Sequence, residues 1–414
     1  MLKIIANPSQ IITVDTYGQN VKRGTELNEI GLLTGYSIII EDEIIKNIVP
    51  TQSIININAD EVIDADGKIV LPGLVECHTH TVFAGSRLNE FQNRLKGISY
   101  EEIDRMGGGI NNTVNAVRNT SAEELIELTL PRINYFISQG ITTLEIKSGY
   151  GLDYENEIKI LRVIQYLNEK YSIDIIPTFL GAHAYPHELN NNHNDYLNLL
   201  VNDLLPFVAN YKLAKYCDGF CELTAFNTSE IEIVFHKANE LGIPLKLHTD
   251  QFSSMGGIDI ALKNNAVSVD HLEVIKDDDI KKIGNSDTVC VLLPGVSFFL
   301  NQNFAPARKL IDQNAIVALS TDFNPGSSNI SSLNLIMSIA ALKMGMTIEE
   351  IISAVTINAA KAVGVNNECG SIEIGKKADL ALFNTGNYPD IIYNIGKNLN
   401  YMTIKNGEVI YISD

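Results

Sequence analysis

Apolar and polar residues follow two different rhythms along the chain. Residues 1–66 alternate short apolar runs with turn residues, as in YSIIIEDEIIKNIV and EVIDADGKIVLPG, a spacing that predicts strands with a tight turn at Asp66-Gly67. Residues 370–414 do the same in ADLALFN and MTIKNGEVIYI, around Asn406-Gly407. Chain ends commonly lie close together in a folded protein. The two ends are therefore expected to form one small composite β-sandwich, with residues 67–369 inserted between its halves.

The middle repeats a longer unit: an amphipathic stretch, a Gly or Asn break, then a short apolar run. Ser121 with Glu124 is expected to open a helix that Gly140 closes, Ser229 with Glu232 one that Gly242 closes, and Thr347 with Glu350 one ending near Gly364. Between such stretches stand GLVECHTH, ITTLEIK, IDIIPTFLGAHA, DGFCELTAF, IPLKLHT, AVSVDHLE, TVCVLLP and AIVALSTDF. Strands separated by helices in this number predict a (β/α)8 TIM-like barrel. An open doubly wound sheet would call for a Gly-rich phosphate loop after its first strand, and none follows.

In such barrels the chemistry sits where strands end and loops begin. Strand one ends in His78 and His80, strand three in His183, strand five in His248, strand six in His271 and strand eight in Asp322, so most of the chain's eight histidines collect at one end. His-x-His on a strand aims both imidazoles the same way. His78, His80, His248 and Asp322 make a set of three nitrogens and one oxygen, which suits zinc or iron and leaves room for water. Strand four offers no lysine that could be carbamylated to bridge a second ion, so one metal per chain is expected. Lys147 reads as a solvated or substrate-facing charge. Glu76 shares the parity of the two histidines, and its sequence position fits either the orienting of a ligand or a structural role at the barrel floor. His187, His193 and His236 read as surface residues.

Composition narrows the partners. The 414 residues are 45% hydrophobic and carry a formal net charge of -19, a field that repels nucleic-acid phosphates and anionic membrane surfaces. The N-terminus lacks a basic start followed by an apolar run, and no stretch of 18 apolar residues occurs, so a cytoplasmic protein is expected. Five scattered cysteines without a C-x-x-C argue against a disulfide framework and read as buried thiols.

Beyond the metal set, PGLVECHTHTVFAGSRLNEF, RLKGISYEEI, MGGGI, EIKSGYGL, FLGAHAYP, LHTDQFSSMGG, DHLE and STDFNPGSS occur in that order. In these stretches the chain resembles the imidazolonepropionase family of the amidohydrolase superfamily, a metal-dependent hydrolase fold with a composite β-sandwich. SGYGL and TDFNPGSS are the specific part of the match. The resemblance implies hydrolysis of the ring C–N bond of 4-imidazolone-5-propanoate, giving N-formimidoyl-L-glutamate in histidine degradation, with one Zn2+ or Fe2+/Fe3+ ion per chain and a homodimeric assembly. It implies that Arg87, Tyr150 and His183 contact the substrate, that Asn324, Gly326 and Ser327 form a polar loop on the product side, and that His271 and Asp322 move protons. Gly326 is expected to let backbone amides approach the ligand. Some members of the family carry glutamate where this chain has Gln251; an amide cannot act as a base, so Gln251 is expected to orient the ring nitrogens within the catalytic and binding set. The metal set is common to the superfamily, which keeps two alternatives in view: a deaminase or cyclic-amide hydrolase acting on another heterocycle, and a non-catalytic scaffold. A neutral heterocycle would not need Arg87, and a scaffold would not need every ligand.

Overall fold

The computed structural model describes residues 1–98, 108–189 and 192–413. Parts of the stretches RLKGISYEEI, MGGGI and LNNNHND lie outside the described residues. At the centre is an 8-stranded parallel sheet whose strands neighbour one another in chain order. They are β1 (Leu74–Glu76), β2 (Ile141–Lys147), β3 (Asp174–Ala182), β4 (Tyr216–Cys221), β5 (Lys246–Thr249), β6 (Ser268–His271), β7 (Val289–Leu292) and β8 (Ile316–Leu319). β2 and β5 to β8 are buried at every position, as parallel strands covered on both faces are, and in β7 and β8 this shows as an unbroken apolar run.

The ring closes just past its first and last strands. His80 N donates to Phe323 O at 3.0 Å and Asp322 N to His78 O at 3.1 Å, so the closing bonds belong to the residues that carry the polar motifs. Glu76 serves this closure: its carboxylate accepts from the Ser320 hydroxyl, from Thr321 N at 3.2 Å and from His78 N at 3.4 Å. Burial pushes Glu76 up to about 8, against the pull of those backbone hydrogen bonds. Of the two roles its sequence position allowed, the contacts fit the structural one.

Helix starts follow capping chemistry, with two departures from the sequence reading. The Ala122–Ile137 helix begins at Ser121, in a capping box with Glu124. The helix assigned to Ser229 and Glu232 instead spans Thr228–Glu240, because Asn227 accepts from both Ser229 N and Glu230 N while Glu230 reaches back to Asn227 N. Thr347 and Glu350 cap as expected, but their helix stops at Ala354, and Ile357–Ala362 is a separate one. Thr356 sits between them at φ -122° and ψ -99°, outside the helical region.

Both chain ends build the flanking β layers. One sheet orders Ile44–Pro50, Tyr36–Glu41, Leu2–Ala6 and Glu61–Asp64; the other orders Glu408–Ile412, Asn400–Lys405, Leu380–Phe383, Ile69–Pro72, Gln10–Ile12 and Leu32–Leu33. Asn406-Gly407 is a hairpin turn with φ of 50° and 75°, as the sequence suggested. Asp66-Gly67 is a turn too, but it passes the chain from one sheet to the other rather than closing a hairpin. Because Ile69–Pro72 pairs with Leu380–Phe383 in the second sheet, we propose the first domain boundary at Gly73 rather than at residue 67.

Lys405 joins the sandwich to the barrel: its ammonium lies 2.7 Å from Asp174 at the start of β3 and 2.7 Å from Asp379. Both Lys405 and Asp379 are buried. Removing one partner of a buried pair leaves a charge that cannot reach water. Lys405→Met is expected to lower unfolding free energy by about 3 kcal/mol, measured by denaturant titration. Among the described residues, no helix is long and apolar enough to cross a membrane.

Candidate metal centre and active site

His78 and His80 follow β1, His248 lies in β5, and Asp322 follows β8. All four are buried, with exposures of 0 to 3%. Asp322 Oδ1 stands 3.4 Å from His78 Nε2 and 3.3 Å from His80 Nε2. Tetrahedral coordination with bonds of about 2.0–2.1 Å separates neighbouring donor atoms by roughly 3.3–3.4 Å, so these spacings are those of ligands around one ion. His78, His80 and Asp322 form one cluster of potential donors within 4.8 Å; His78, His248 and His271 form a second. His78 belongs to both.

Two aspartates that the sequence reading passed over set the direction of two imidazoles. His78 Nδ1 bonds Asp270 Oδ2 at 2.7 Å and His248 Nδ1 bonds Asp218 Oδ1 at 3.1 Å. A carboxylate on Nδ1 fixes the tautomer and turns the Nε2 lone pair inward. Among the described residues, His78 Nε2, His248 Nε2 and Asp322 Oδ1 are all buried with no hydrogen-bond partner. Each orphaned polar atom of this kind costs about 1–3 kcal/mol, and a cation would satisfy all three at once. The donor set thus fits a metal ion. His80 is held differently: its Nδ1 has no partner.

Electrostatics agree with that arrangement. Burial pushes His248 down to about 3, with Asp218 pulling the other way, and burial lowers His80 as well. Neutral imidazoles are what a cation needs. Burial would raise Asp322, but the neighbouring imidazoles of His78 and His80 hold its carboxyl well below the usual range.

His271 lies on the other flank, its ring centroid 5.3 Å from that of His248. Burial disfavours its protonation, yet the carboxylate of Glu273, 3.5 Å from Nδ1, and the charges of Asp322 and Asp270 raise its pKa above the ordinary value. His271 and Leu272 have φ of 88° and 73°, and Asp322 has 49°. Non-glycine residues pay about 1–3 kcal/mol each for such backbone, and these stand at the strand ends that face the site. The turn at His271 also breaks strand parity, which lets Asp270 and the next residue both reach the centre.

Across the mouth, the rings of His80 and His183 stack at 5.3 Å, and Tyr150 lies 5.7 Å from His80 and 5.6 Å from His183. His183 Nδ1 donates to Gly149 O at 2.9 Å, which leaves Nε2 for other partners. Burial pushes His183 down to about 3, helped by the neighbouring His80.

Arg87 pairs with Glu90 at 2.7 Å and lies directly over Gly326, where an added Cβ would fall 1.9 Å from its Nη1. The structure gives Gly326 a role that the sequence did not suggest. Its missing side chain makes room for the guanidinium, and its own N–H already donates to Asn324 Oδ1 at 2.8 Å. Asn324 also accepts from Ser327 N and donates to Asp322 O and Ser327 Oγ, so its amide braces the loop from within. Gln251 follows β5 at 7% exposure. The loop that carries it is held by buried Glu222, which accepts from Phe252 N at 2.9 Å and Ser253 N at 3.0 Å.

Lys147 is neither solvated nor at the rim. It is fully buried beneath the ligands, 2.7 Å from Asp218 and 3.1 Å from Glu145. The signal for Asp218 and Asp270 was present in the sequence: a charge inside an otherwise apolar strand of a closed barrel must find its partner in the interior. His187, His193 and His236 are exposed as expected, His193 with one face of its ring stacked on Tyr185.

Asp218→Asn keeps shape but weakens the hold on His248 Nδ1. Metal affinity is expected to fall by about 10- to 100-fold, measured by competition with a chelator of known affinity.

Residues 208–410 match the amidohydrolase family. The chain is 44% identical over 411 residues to an imidazolonepropionase from Clostridium tetani (99% of this chain, 98% of that protein) and 42% identical to one from Geobacillus sp. (98% and 97%). Among solved structures, it superimposes on an adenosine deaminase from Xanthomonas campestris with bound zinc (TM-score 0.71, 16% identity, 99% of this chain and 93% of that one). Atrazine chlorohydrolase from Arthrobacter aurescens TC1, in complex with zinc, gives a TM-score of 0.70 at 15% identity (99% and 95%). The two solved structures bear on the fold alone, whereas identity above 40% across the whole length bears on the family: this chain is a member of the imidazolonepropionases, metal-dependent hydrolases of the amidohydrolase fold.

Proposed function

We propose that the chain hydrolyses 4-imidazolone-5-propanoate to N-formimidoyl-L-glutamate, with His78, His80, His248 and Asp322 holding one divalent zinc or iron ion. The observation that carries the reading is the pair of orphaned Nε2 atoms on His78 and His248, each imidazole held at Nδ1 by its own buried aspartate. Charge supports a divalent ion: in the interior, Glu145, Asp218, Asp270 and Asp322 exceed Lys147 and Lys246 by two formal negative charges. When bound, such an ion acidifies a water and draws electron density from the ring carbonyl.

The chain's own groups then have separable tasks. Water adds to the ring carbonyl carbon, the adjacent C–N bond breaks, and the proton that water gives up must reach the leaving nitrogen. Asp322 has a second carboxylate oxygen free for that transfer. His271, its pKa raised by the Glu273 carboxylate against the effect of burial, is suited to stabilise the oxyanion as it forms. Arg87 receives the propanoate, a fixed cation for an anionic substrate in a protein of net charge -19. Tyr150 and His183 bound the ring, Gln251 offers an amide to the ring nitrogens, and the loop of Asn324, Gly326 and Ser327 keeps Arg87 in place.

A cytoplasmic homodimer without nucleic-acid or membrane partners completes the reading. It is supported by five buried free cysteines and by the acidic surface, and for the dimer by the family resemblance. The test is substrate consumption by metal-stripped protein and by protein reconstituted with zinc or iron. Activity is expected only after reconstitution; its absence in both reconstituted forms would favour another heterocycle as substrate.

A further inference from the structure

Below the proposed ligands, the barrel interior contains a second layer of charge. Glu145 and Lys147 on β2, Asp218 on β4, Lys246 on β5 and Asp270 on β6 are all at 0% exposure. One atom organises them. Lys147 Nζ lies 2.7 Å from Asp218 Oδ2, 3.1 Å from Glu145 Oε2 and 3.4 Å from Asp270 Oδ2. Lys246 is turned to the far side of Glu145, 2.7 Å from Oε1.

Asp218, His248 and Asp270 place potential donor atoms within 4.8 Å of one another, close enough to hold a metal ion. Glu145 Oε2 faces the same point and makes no hydrogen bond, although it is wholly buried. Three carboxylates converging in a closed interior are a strong site for a hard divalent cation, because oxygen donors and negative charge are what such ions select. The positive charge that the structure puts among them is an ammonium. It is covalently attached, so it cannot leave, and its stem takes up the space a hydrated ion would need. Its charge also opposes those of Asp218 and Asp270, through Oδ2 atoms that the imidazoles contact as well, so the two aspartates can bond imidazole Nδ1 atoms without being left as unbalanced buried anions.

We infer that Lys147 is a resident cation filling a second cation site beneath the metal centre, and that this side chain is what restricts the barrel to one ion. The inference rests on the metal-centre reading above and goes further, since it assigns the number of ions to a residue that is not a ligand. The sequence alone could give only the lack of a bridging lysine on β4. The structure adds a reason on the opposite side of the ledger: the place where another ion would go is taken.

The experiment counts zinc per chain by elemental analysis after equilibrium dialysis, in the unsubstituted protein, in Lys147→Met and in Lys147→Met/Glu145→Gln. Glu145 touches no ligand histidine, so its loss probes the lower site alone. One ion is expected in the unsubstituted protein and two in Lys147→Met, with the second bound at least about tenfold more weakly in the double variant. An unchanged count in Lys147→Met overturns the inference, as does a second ion in the unsubstituted protein or a double variant that binds it as tightly. No zinc in the unsubstituted protein refutes the metal centre itself, which is a different result. If Lys147→Met does not fold alone, refolding with and without zinc replaces the count: restoration by zinc supports the inference, and failure to restore overturns it.

Discussion

Asp322→Asn lowers kcat by about 10⁴-fold or more and leaves the purified protein largely free of metal. The substitution is nearly isosteric, but it removes negative charge from a group whose Oδ1 stands 3.4 Å from His78 Nε2 and 3.3 Å from His80 Nε2. It also removes the carboxylate oxygen proposed to carry a proton to the leaving nitrogen. Two functions are lost together, so added zinc is expected to restore occupancy without restoring the rate. Steady-state kinetics alongside metal content separates the two losses. A variant that regains most of its rate once reloaded would assign proton transfer elsewhere, with His271 the next group in reach.

Arg87→Met raises KM by about 10²-fold while kcat changes by less than about tenfold, because the propanoate is bound equally in the ground and transition states. The guanidinium is held in place by Glu90 at 2.7 Å and by the cleft that Gly326 leaves open. Gly326→Ala is therefore the companion variant: its Cβ would meet Arg87 Nη1 at 1.9 Å and push the cation off its seat, giving the same rise in KM without removing any charge. Arg87→Lys should recover only part of the loss, since an ammonium does not reproduce a planar, two-pronged contact. If KM is unchanged in Arg87→Met, the carboxylate of the substrate is received by another group.

How far these sites were legible in the sequence depends on what kind of contact defines them. The barrel strands could be read because parallel strands covered on both faces are largely apolar, and the proposed ligands because polar residues that end such strands stand out against them. His78, His80, His248 and Asp322 needed no tertiary information beyond the barrel rule. Asp218, Asp270 and Lys147 did. Parity indicates that each faces inward, but nothing along the chain says that Lys147 meets Asp218 across the interior, so the chain alone suggests a solvated or substrate-facing charge. Gly326 failed for a similar reason, since the atom it makes room for, Arg87 Nη1, comes from the other end of the barrel chain. The turn at Asp66-Gly67 was legible from local turn chemistry, which fixes a turn but not which sheets its two strands enter. The cap at Asn227, by contrast, was visible in the sequence: Asn with Glu230 three residues on is a capping pair, and Ser229 with Glu232 only competes with it.

The central claim is that donors from β1, β5 and β8 converge on one ion at the barrel mouth. An anomalous-scattering map from crystals loaded with a single divalent metal, recorded on both sides of its absorption edge, tests this most directly. The account requires one peak per chain, bonded to His78, His80, His248 and Asp322 with Asp218 and Asp270 behind the imidazoles. A peak seated elsewhere in the barrel, or a loaded crystal in which His248 or Asp322 turns away from the metal, would contradict it.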